Sequence, residues 1–166
     1  MRHKHEVAEL YCAGHLSAYL KPAMLRTKIL QCKAVLSKYE YDAIAVRGIS
    51  GLMLGPTLSV LCDKSLIVVR KHDEDRHSTN VCEGDRGAKR YIIVDDFISD
   101  GDTVRAIYKD IKEWQERSHG PENVAVCLGV LCATHIPYAF TLDQCKRKIE
   151  LDVMTVGPKG SSEERW

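Results

Sequence analysis

Residues 91–103 read YIIVDDFISDGDT, and this stretch decides the fold class. It begins with four apolar residues, a run typical of a strand that is covered on both faces in a parallel sheet. Two carboxylates, Asp95 and Asp96, follow where the strand should end. A short segment with a glycine then leads into residues 103–117, where apolar side chains recur at helical spacing and predict a helix. The stretch therefore predicts a strand, an acidic turn and a helix in succession.

Further units of this kind lie on both sides of the stretch. Apolar runs predict three more strands, and helical periodicity predicts three helices before the stretch. The strands are expected at 43–46, 66–69 and 124–131, and the helices at 5–20, 23–39 and 52–62. A last helix and strand are expected near 139–148 and 150–156. This alternation predicts an α/β fold with a doubly wound, mostly parallel sheet.

The chain is expected to form a single domain. It has 166 residues, of which 45% are hydrophobic, enough for one core. Residues 1–40 are expected to form a helical cap, 41–131 the core, 132–160 a C-terminal part of the core or a hood over the site, and 161–166 an exposed tail.

Composition argues against several classes of protein. Lys and Arg number 24 against 23 for Asp and Glu, and this net charge of +1 disfavours a nucleic-acid or anionic-membrane binder. We see neither an apolar run of about 20 residues, as a membrane span needs, nor a signal peptide, so a cytoplasmic protein is expected. The seven cysteines are odd in number and lack a C-x-x-C motif, which argues against a disulfide framework or a zinc ribbon.

Ligands of doubly wound sheets bind beyond the carboxyl ends of the strands. After the first core strand the sequence has a glycine-rich run at residues 47–51. After the second, Arg70 and Lys71 open a polar segment of about 20 residues that extends to Arg90, and connections of this length are usually functional or mobile. We therefore expect the site to combine these segments with the acidic turn.

The acidic turn suits a phosphorylated sugar. Carboxylates accept hydrogen bonds from sugar hydroxyls, and backbone N–H groups at a glycine turn and a helix start bind phosphate. Helix capping alone would explain one of the four carboxylates well and the others poorly. The four are Asp95, Asp96, Asp100 and Asp102.

These motifs resemble those of the type I phosphoribosyltransferases. The family signature is an apolar strand, two acidic residues, two or three mostly apolar positions and Thr-Gly-x-Thr, and the strand, both acids, Gly101 and Thr103 match it. Residues 46–59, VRGISGLMLGPTLS, are similar to the Arg-Gly-x-x-x-Gly-Pro-x-Leu-Ala segment of the adenine branch. Arg70 and Lys71 stand where the family's mobile catalytic flap begins. The resemblance spans roughly residues 40–131.

The resemblance implies transfer of a ribosyl group from a 1-pyrophosphate donor to a nitrogen of a base, with release of pyrophosphate. Asp95 and Asp96 match the pair that binds the ribose hydroxyls, and they are the carboxylates nearest to a Mg²⁺ ion held mostly by substrate oxygens. Arg47 and Gly48 match the turn that receives pyrophosphate. Lys71 would stabilise charge, although an ordinary surface lysine is the alternative. The family also implies a homodimer.

The expected residues fall into two sets. The catalytic set is Asp95, Asp96, Lys71 and Arg47. The substrate-binding set is Arg47, Gly48, Ile49, Arg70, Phe97, Ser99, Asp100, Gly101, Asp102 and Thr103, and further flap candidates are His72, Arg76 and His77.

Two departures from the family pattern leave the donor open. Asp100 replaces the first Thr of Thr-Gly-x-Thr, and Asp102 occupies the variable position. A carboxylate about 4 Å from a 5′-phosphate would cost about 1 kcal/mol even in water. Either Asp100 points away from phosphoribosyl pyrophosphate, or the donor is ADP-ribose pyrophosphate with nicotinamide as acceptor, as in a phage transferase of this fold that makes NAD. The second alternative would place the protein in the cytoplasm of a phage host.

The acceptor base is also open. Ser99 stands where the hypoxanthine-guanine branch has an aspartate that assists proton transfer, which disfavours that mechanism, whereas nicotinamide has no ring proton to lose. Phe97 is either a floor beneath the acceptor ring or a core aromatic. The hood over the base is expected either in the N-terminal cap or in residues 134–140. The candidates are Tyr11, His15 and Tyr19, or His135, Tyr138 and Phe140.

Two rival interpretations remain. One is a non-catalytic sensor that binds the same sugar phosphates, because this fold also serves regulators. The other is an unrelated nucleotide-binding domain that uses Gly48, Gly51 and Gly55, but their spacing is not G-x-G-x-x-G.

Overall fold

The computed structural model describes residues 20–71, 80–98, 101–133 and 153–156. Its helices are α1 (Pro22–Leu36), α2 (Gly48–Cys62) and α3 (Asp102–His119), with a 3₁₀ turn at Pro121–Asn123. Its strands are β1 (Ala43–Arg47), β2 (Ser65–Val69), β3 (Cys82–Gly84), β4 (Arg90–Asp95), β5 (Val126–Cys132) and β6 (Val153–Thr155).

The described strands form one sheet in the order β3-β2-β1-β4-β5-β6. All neighbouring pairs are parallel except β2 and β3, which are antiparallel. Helices α1 and α2 pack on one face with Ile44, Val46 and Ile92, and α3 packs on the other with Ala45 and Ile93. The predicted α/β fold with a doubly wound, mostly parallel sheet is confirmed.

Burial on both faces explains why the strands appear in the sequence as unbroken apolar runs. All five residues of β1 are buried, and alternate side chains enter the two cores. Helix α3 is instead amphipathic. Its buried face carries Val104, Ile107, Ile111 and Trp114, which confirms the helix predicted over 103–117 with small extensions at both ends.

Helix α2 begins earlier than predicted. The sequence indicated a glycine-rich turn at 47–51 before a helix at 52–62, but the helix starts at Gly48. Gly48 has a φ of 68° and accommodates the reversal after the strand. Gly51 and Gly55 then lie against β1, since a Cβ on Gly55 would be 2.5 Å from Val46 Cγ1. These two glycines thus serve close packing between helix and strand.

Strand β3 was missed because it is short and interrupts a segment expected to be a connection. Of its three residues, Cys82 is buried and the other two are exposed, which is too little for a periodicity signal. Helix α1 ends at Leu36, before the predicted residue 39, and β6 falls within the strand predicted at 150–156. The helices predicted at 5–20 and 139–148 and the tail at 161–166 lie outside the described residues. The single-domain organisation stays a prediction.

Within the described ranges, no helix is both long and apolar enough to span a membrane.

Candidate active site

The sheet reverses its winding between β1 and β4. From β1 the chain passes through α2 to β2 on one side, and from β4 it passes through α3 to β5 on the other. Such a switch point opens a crevice at the carboxyl ends of the two strands. Arg47 ends β1 and Asp95 ends β4. The topology therefore brings the glycine-rich and acidic motifs to the same crevice.

Asp95 and Asp96 form a buried carboxylate pair at this crevice. Their residues are 6% and 5% exposed. The backbone N–H of Asp96 donates to Asp95 Oδ1 at 2.9 Å, and the Ser50 hydroxyl donates to the same oxygen at 3.5 Å. Burial, followed by the charge of Asp96, raises the pKa of Asp95 from its ordinary value of 3.8 to about 7, against the lowering effect of these hydrogen bonds. The pair is suited to bind a proton, a cation or hydroxyl donors.

The carboxylate pair suits a hard cation that is shared with a substrate. Carboxylate oxygens are the ligands that Mg²⁺ prefers, and this ion usually keeps most of its shell from water or substrate phosphates. The described residues contain no group of three or more His, Cys, Asp or Glu able to hold a metal. If the ion binds here, Asp95 and Asp96 would supply part of its shell and substrate oxygens the rest.

The turn at Gly48 faces the crevice from the other strand. A Cβ on Gly48 would lie 3.7 Å from Lys71 Cε, so the lysine side chain runs beside the turn. Lys71 and Ile49 are both exposed. A helix N-terminus beside an ammonium group is a favourable place for a phosphate. The structure thus juxtaposes the Gly48 turn with Lys71, and their roles stay predictions.

Arg47 has a partner that the sequence analysis missed. Its Nη1 lies 3.2 Å from Asp110 Oδ2 in α3, and the two side chains are 8% and 5% exposed. A signal for Asp110 was available: it lies three residues after Ile107 and four before Trp114, on the apolar face of the predicted helix. A carboxylate at a core position requires a partner. The prediction that Arg47 binds pyrophosphate is untested, and the pair with Asp110 is its observed contact.

The two cations predicted at the flap have different surroundings. Arg70 Nη2 lies 2.8 Å from Glu83 Oε1, and the Arg70 backbone N–H donates to Val81 O, so Arg70 is tied to the β3 side of the sheet. Lys71 lies beside Gly48 instead. The other flap candidates, His72, Arg76 and His77, are outside the described residues.

The second glycine turn leads into α3. Gly101 has a φ of 85° and is buried, and Thr103 is exposed in the first turn of the helix. The Asp102 carboxylate forms an ion pair with Arg105, a cation that the sequence analysis did not consider although it lies one helical turn ahead. Ser99 and Asp100 are outside the described residues, so their predicted roles stay predictions.

Phe97 follows the carboxylate pair and is 37% exposed, whereas Ile98 is 3% exposed. Ile98 therefore takes the core position, and the Phe97 ring is accessible from solvent. The residues named for the two candidate hoods over a base, Tyr11, His15 and Tyr19 in the N-terminal cap and those at 134–140, lie outside the described residues.

A surface depression at the opposite edge of the sheet contains none of the predicted site residues. It is lined by the amino ends of β4 and β5 and the end of α3, including Lys89, His119 and Asn123. The crevice at the carboxyl ends is the candidate site because the acidic pair, the Gly48 turn and Lys71 lie there.

No family model matches the chain. Among curated proteins, it is 31% identical over 98 residues to the transcriptional regulator GfcR of Thermoplasma acidophilum, covering 57% of this chain and 48% of the regulator. It is 27% identical over 107 residues to a hypoxanthine/guanine phosphoribosyltransferase of Methanocella paludicola, covering 57% of this chain and 56% of that enzyme. The chain thus spans about half the length of the curated relatives it matches.

Solved structures agree on the fold. An adenine phosphoribosyltransferase from Thermoanaerobacter pseudethanolicus superposes with a TM-score of 0.61 at 19% identity, covering 83% of each chain. A second adenine phosphoribosyltransferase gives 0.63 at 20% identity, covering 85% of this chain and 84% of the other. The chain has the type I phosphoribosyltransferase fold, and the resemblance seen in its sequence is confirmed.

Proposed function

We propose that the protein transfers a ribosyl group from a ribose 1-pyrophosphate donor to a ring nitrogen of a base and releases pyrophosphate. The observation that carries the proposal is the buried Asp95–Asp96 pair at the switch point, opposite the Gly48 turn and Lys71. The similarity to a hypoxanthine/guanine phosphoribosyltransferase supports it.

The two sides of the crevice would divide the chemistry. The ribose hydroxyls would donate to Asp95 and Asp96, whose negative field favours positive charge developing on the sugar. The base nitrogen would contribute its lone pair to C1 while the C1–O bond breaks and the electrons of that bond leave with pyrophosphate. A base that reacts through a ring N–H would release this proton to water, whereas nicotinamide has no ring proton to lose. The N–H groups at the start of α2, together with Lys71, would stabilise the leaving charge. Magnesium, when bound, would neutralise part of the charge on the substrate oxygens.

The donor is phosphoribosyl pyrophosphate or ADP-ribose pyrophosphate. Asp100 disfavours the first unless its carboxylate points away from the 5′-phosphate, because the two negative charges would repel each other. Asp102 would repel the phosphate less, because its carboxylate forms an ion pair with Arg105. With ADP-ribose pyrophosphate the acceptor would be nicotinamide and the product NAD.

A product assay tests the proposal directly. The full chain with magnesium would be offered each donor with nicotinamide, adenine, guanine, xanthine or orotate, and products would be identified by mass spectrometry. We expect one nucleotide product together with pyrophosphate. Asp96→Asn should abolish most of this activity, whereas Glu113→Gln, at an exposed position of α3, should retain it. A wild-type protein that yields no pyrophosphate with any combination would contradict the proposal.

Substitution of Asp100 addresses the donor separately. Asp100→Thr restores the residue of the family signature. If repulsion selects the extended donor, the variant should use phosphoribosyl pyrophosphate better than the wild type. Unchanged affinity for both donors would contradict donor selection by Asp100.

A sensor that binds such sugar phosphates without reaction is the second candidate. The similarity to the regulator GfcR favours it. Lys71→Ala separates the two functions: lost transfer with retained donor binding would support an enzyme. Donor binding by the wild type without any pyrophosphate release would support a sensor. In either case we expect the protein to be cytoplasmic and to form a homodimer. Sedimentation analysis would test the oligomeric state.

A further inference from the structure

The ion pair between Arg47 and Asp110 connects the two halves of the candidate site. Arg47 is the last residue of β1, and Asp110 lies in the middle of α3, 63 positions further along the chain. Arg47 directly precedes the Gly48 turn, and α3 directly follows the turn at Gly101. A displacement of Arg47 would therefore be transmitted to the turn beside Lys71.

Stability alone does not account for a buried ion pair. Removing two charges from water costs about as much as their attraction returns, so well-packed apolar side chains of similar volume would serve the fold equally well or better. The surroundings on this face are apolar and include Ala45, Val69 and Ile107. Cys82 is close as well: burial raises the pKa of its thiol to about 12, and the charge of Asp110 contributes. At these two positions, apolar side chains would therefore stabilise the fold at least as well as the ion pair does.

We propose that Asp110 is a positioning residue, which holds the Arg47 guanidinium and thereby sets the distance between the Gly48 turn and the carboxylate pair. The inference rests on the proposed function, because it assigns the Gly48 turn to the pyrophosphate group. Asp110 would act through Arg47 without touching the substrate. Its loss should therefore affect binding of the donor and spare binding of the base.

The first variant is Asp110→Asn, which keeps the size of the side chain and removes its charge. The Arg47 guanidinium then loses its charged partner and is expected to shift toward water or another acceptor, which moves the turn. Misplacement of a binding group by about 1 Å can cost about 100-fold in rate, so we expect kcat/KM for the donor to fall 10- to 100-fold. KM for the base should change less than about twofold.

Asp110→Glu is the conservative variant and Glu113→Gln the matched control on the same helix. Glu keeps the charge one methylene further out and should recover part of the donor affinity. Glu113 is exposed and pairs with Lys109 at 3.8 Å, so its substitution should leave every parameter unchanged. Circular dichroism and thermal unfolding of each full-length variant would show what fraction is folded.

Binding of magnesium pyrophosphate, measured by calorimetry, separates this inference from the proposed function. We expect the wild type to bind it and Asp110→Asn to bind at least 10-fold more weakly. A wild type that binds magnesium pyrophosphate but makes no product would contradict the transfer reaction, and the comparison of variants would still test Asp110.

Several results would overturn the inference. Folded Asp110→Asn with unchanged pyrophosphate affinity and donor KM would show that the pair is only structural, even if the protein becomes less stable. A wild type that does not bind pyrophosphate would also overturn it. If Asp110→Asn does not fold, Asp110→Glu decides, since it leaves Arg47 in place and moves its charged partner outward: full pyrophosphate affinity would overturn the proposal, and weaker binding than in the wild type would support it.

Discussion

The β1–α2 and β4–α3 units share a plan and differ in charge. Each has a buried strand that ends at the switch point, a glycine with positive φ, at 68° or 85°, and a helix that starts at or directly after it. Helix α2 contains no charged residue, whereas α3 is amphipathic and carries ion pairs along its exposed face. Strand β1 ends in the buried Arg47, and β4 ends in the buried Asp95, which the buried Asp96 directly follows.

The difference indicates a division of labour within one crevice. The β1–α2 unit offers backbone N–H groups at the start of a helix that contains no carboxylate, which suits an anion. The β4–α3 unit offers concentrated negative charge, as hydroxyl groups and cations require. Besides the pairing of β1 with β4, side-chain hydrogen bonds join the units, namely those of Ser50 with Asp95 and of Arg47 with Asp110. The following predictions test how far each unit depends on its own chemistry.

The largest effect is expected for the charge of the β4–α3 unit. Because the pKa of Asp95 rises from 3.8 to about 7 on folding, the folded state binds more protons than the unfolded state between these values. The free energy of unfolding should therefore fall by at most about 4 kcal/mol as pH rises from 4 to 7. Above pH 7 it should stay at this lower value. Asp95→Asn should remove this contribution and be more stable than the wild type at pH 8.

The measurement is denaturant unfolding in EDTA at pH 4, 6 and 8, with the wild type and Asp95→Asn compared at each pH so that other titrating groups cancel. Magnesium added at pH 8 should stabilise the wild type more than the variant. A difference between the proteins that does not grow with pH would show that Asp95 is not destabilised by its charge.

The next effect concerns packing in the β1–α2 unit. Gly55→Ala places a Cβ 2.5 Å from Val46 Cγ1, so the buried Val46 side chain or helix α2 must shift. Overpacking of this kind costs about 1–3 kcal/mol, and we expect a value near the upper end by chemical denaturation. Thr57→Ala, at an exposed position two residues further along the same helix, is the matched control and should raise stability by less than about 1 kcal/mol, because Ala is the better helix former. Equal stability of the two variants would show that α2 does not pack as closely as described.

A smaller effect is expected at the Gly48 turn. An alanine there would meet Lys71 Cε only at an ordinary contact distance of 3.7 Å, so the cost comes from the φ of 68°. A left-handed conformation costs a residue with a Cβ about 1–2 kcal/mol. Because the strain falls on the turn assigned to pyrophosphate, donor KM should rise in Gly48→Ala while KM for the base stays constant. A stable variant with unchanged donor KM would argue against the anion-binding role of the turn.

The smallest effect is expected for the exposed pair of Asp102 and Arg105. Their side chains are 74% and 45% exposed, and pairs of this kind contribute at most about 1 kcal/mol. Arg105→Gln should therefore unfold within a few degrees of the wild type, but it would leave Asp102 uncompensated near the donor. We expect a higher KM for phosphoribosyl pyrophosphate at low salt than at high salt, measured in the transfer assay. A large loss of stability would show that Arg105 has a structural role.

Periodicity was a good guide wherever burial followed a regular pattern. The strands at 43–46, 66–69 and 124–131 and the amphipathic helix α3 were predicted within a few residues. It failed at Gly48, where a helix could begin only because of a positive φ, and at β3, where three residues carry no pattern. Both misses depend on backbone geometry or strand pairing that neighbouring residues do not encode.

The candidate site divides in the same way. The sequence by itself determined the chemical groups, because Asp95, Asp96, Gly48 and Lys71 follow strand ends and such ends share one edge of a parallel sheet. Only the tertiary structure decided their partners. The pairing of Arg47 with Asp110, of Arg70 with Glu83 and of Lys71 with the Gly48 turn depends on side-chain packing between elements distant in sequence. Local patterns specify which residues are polar, but long-range packing decides which charges meet.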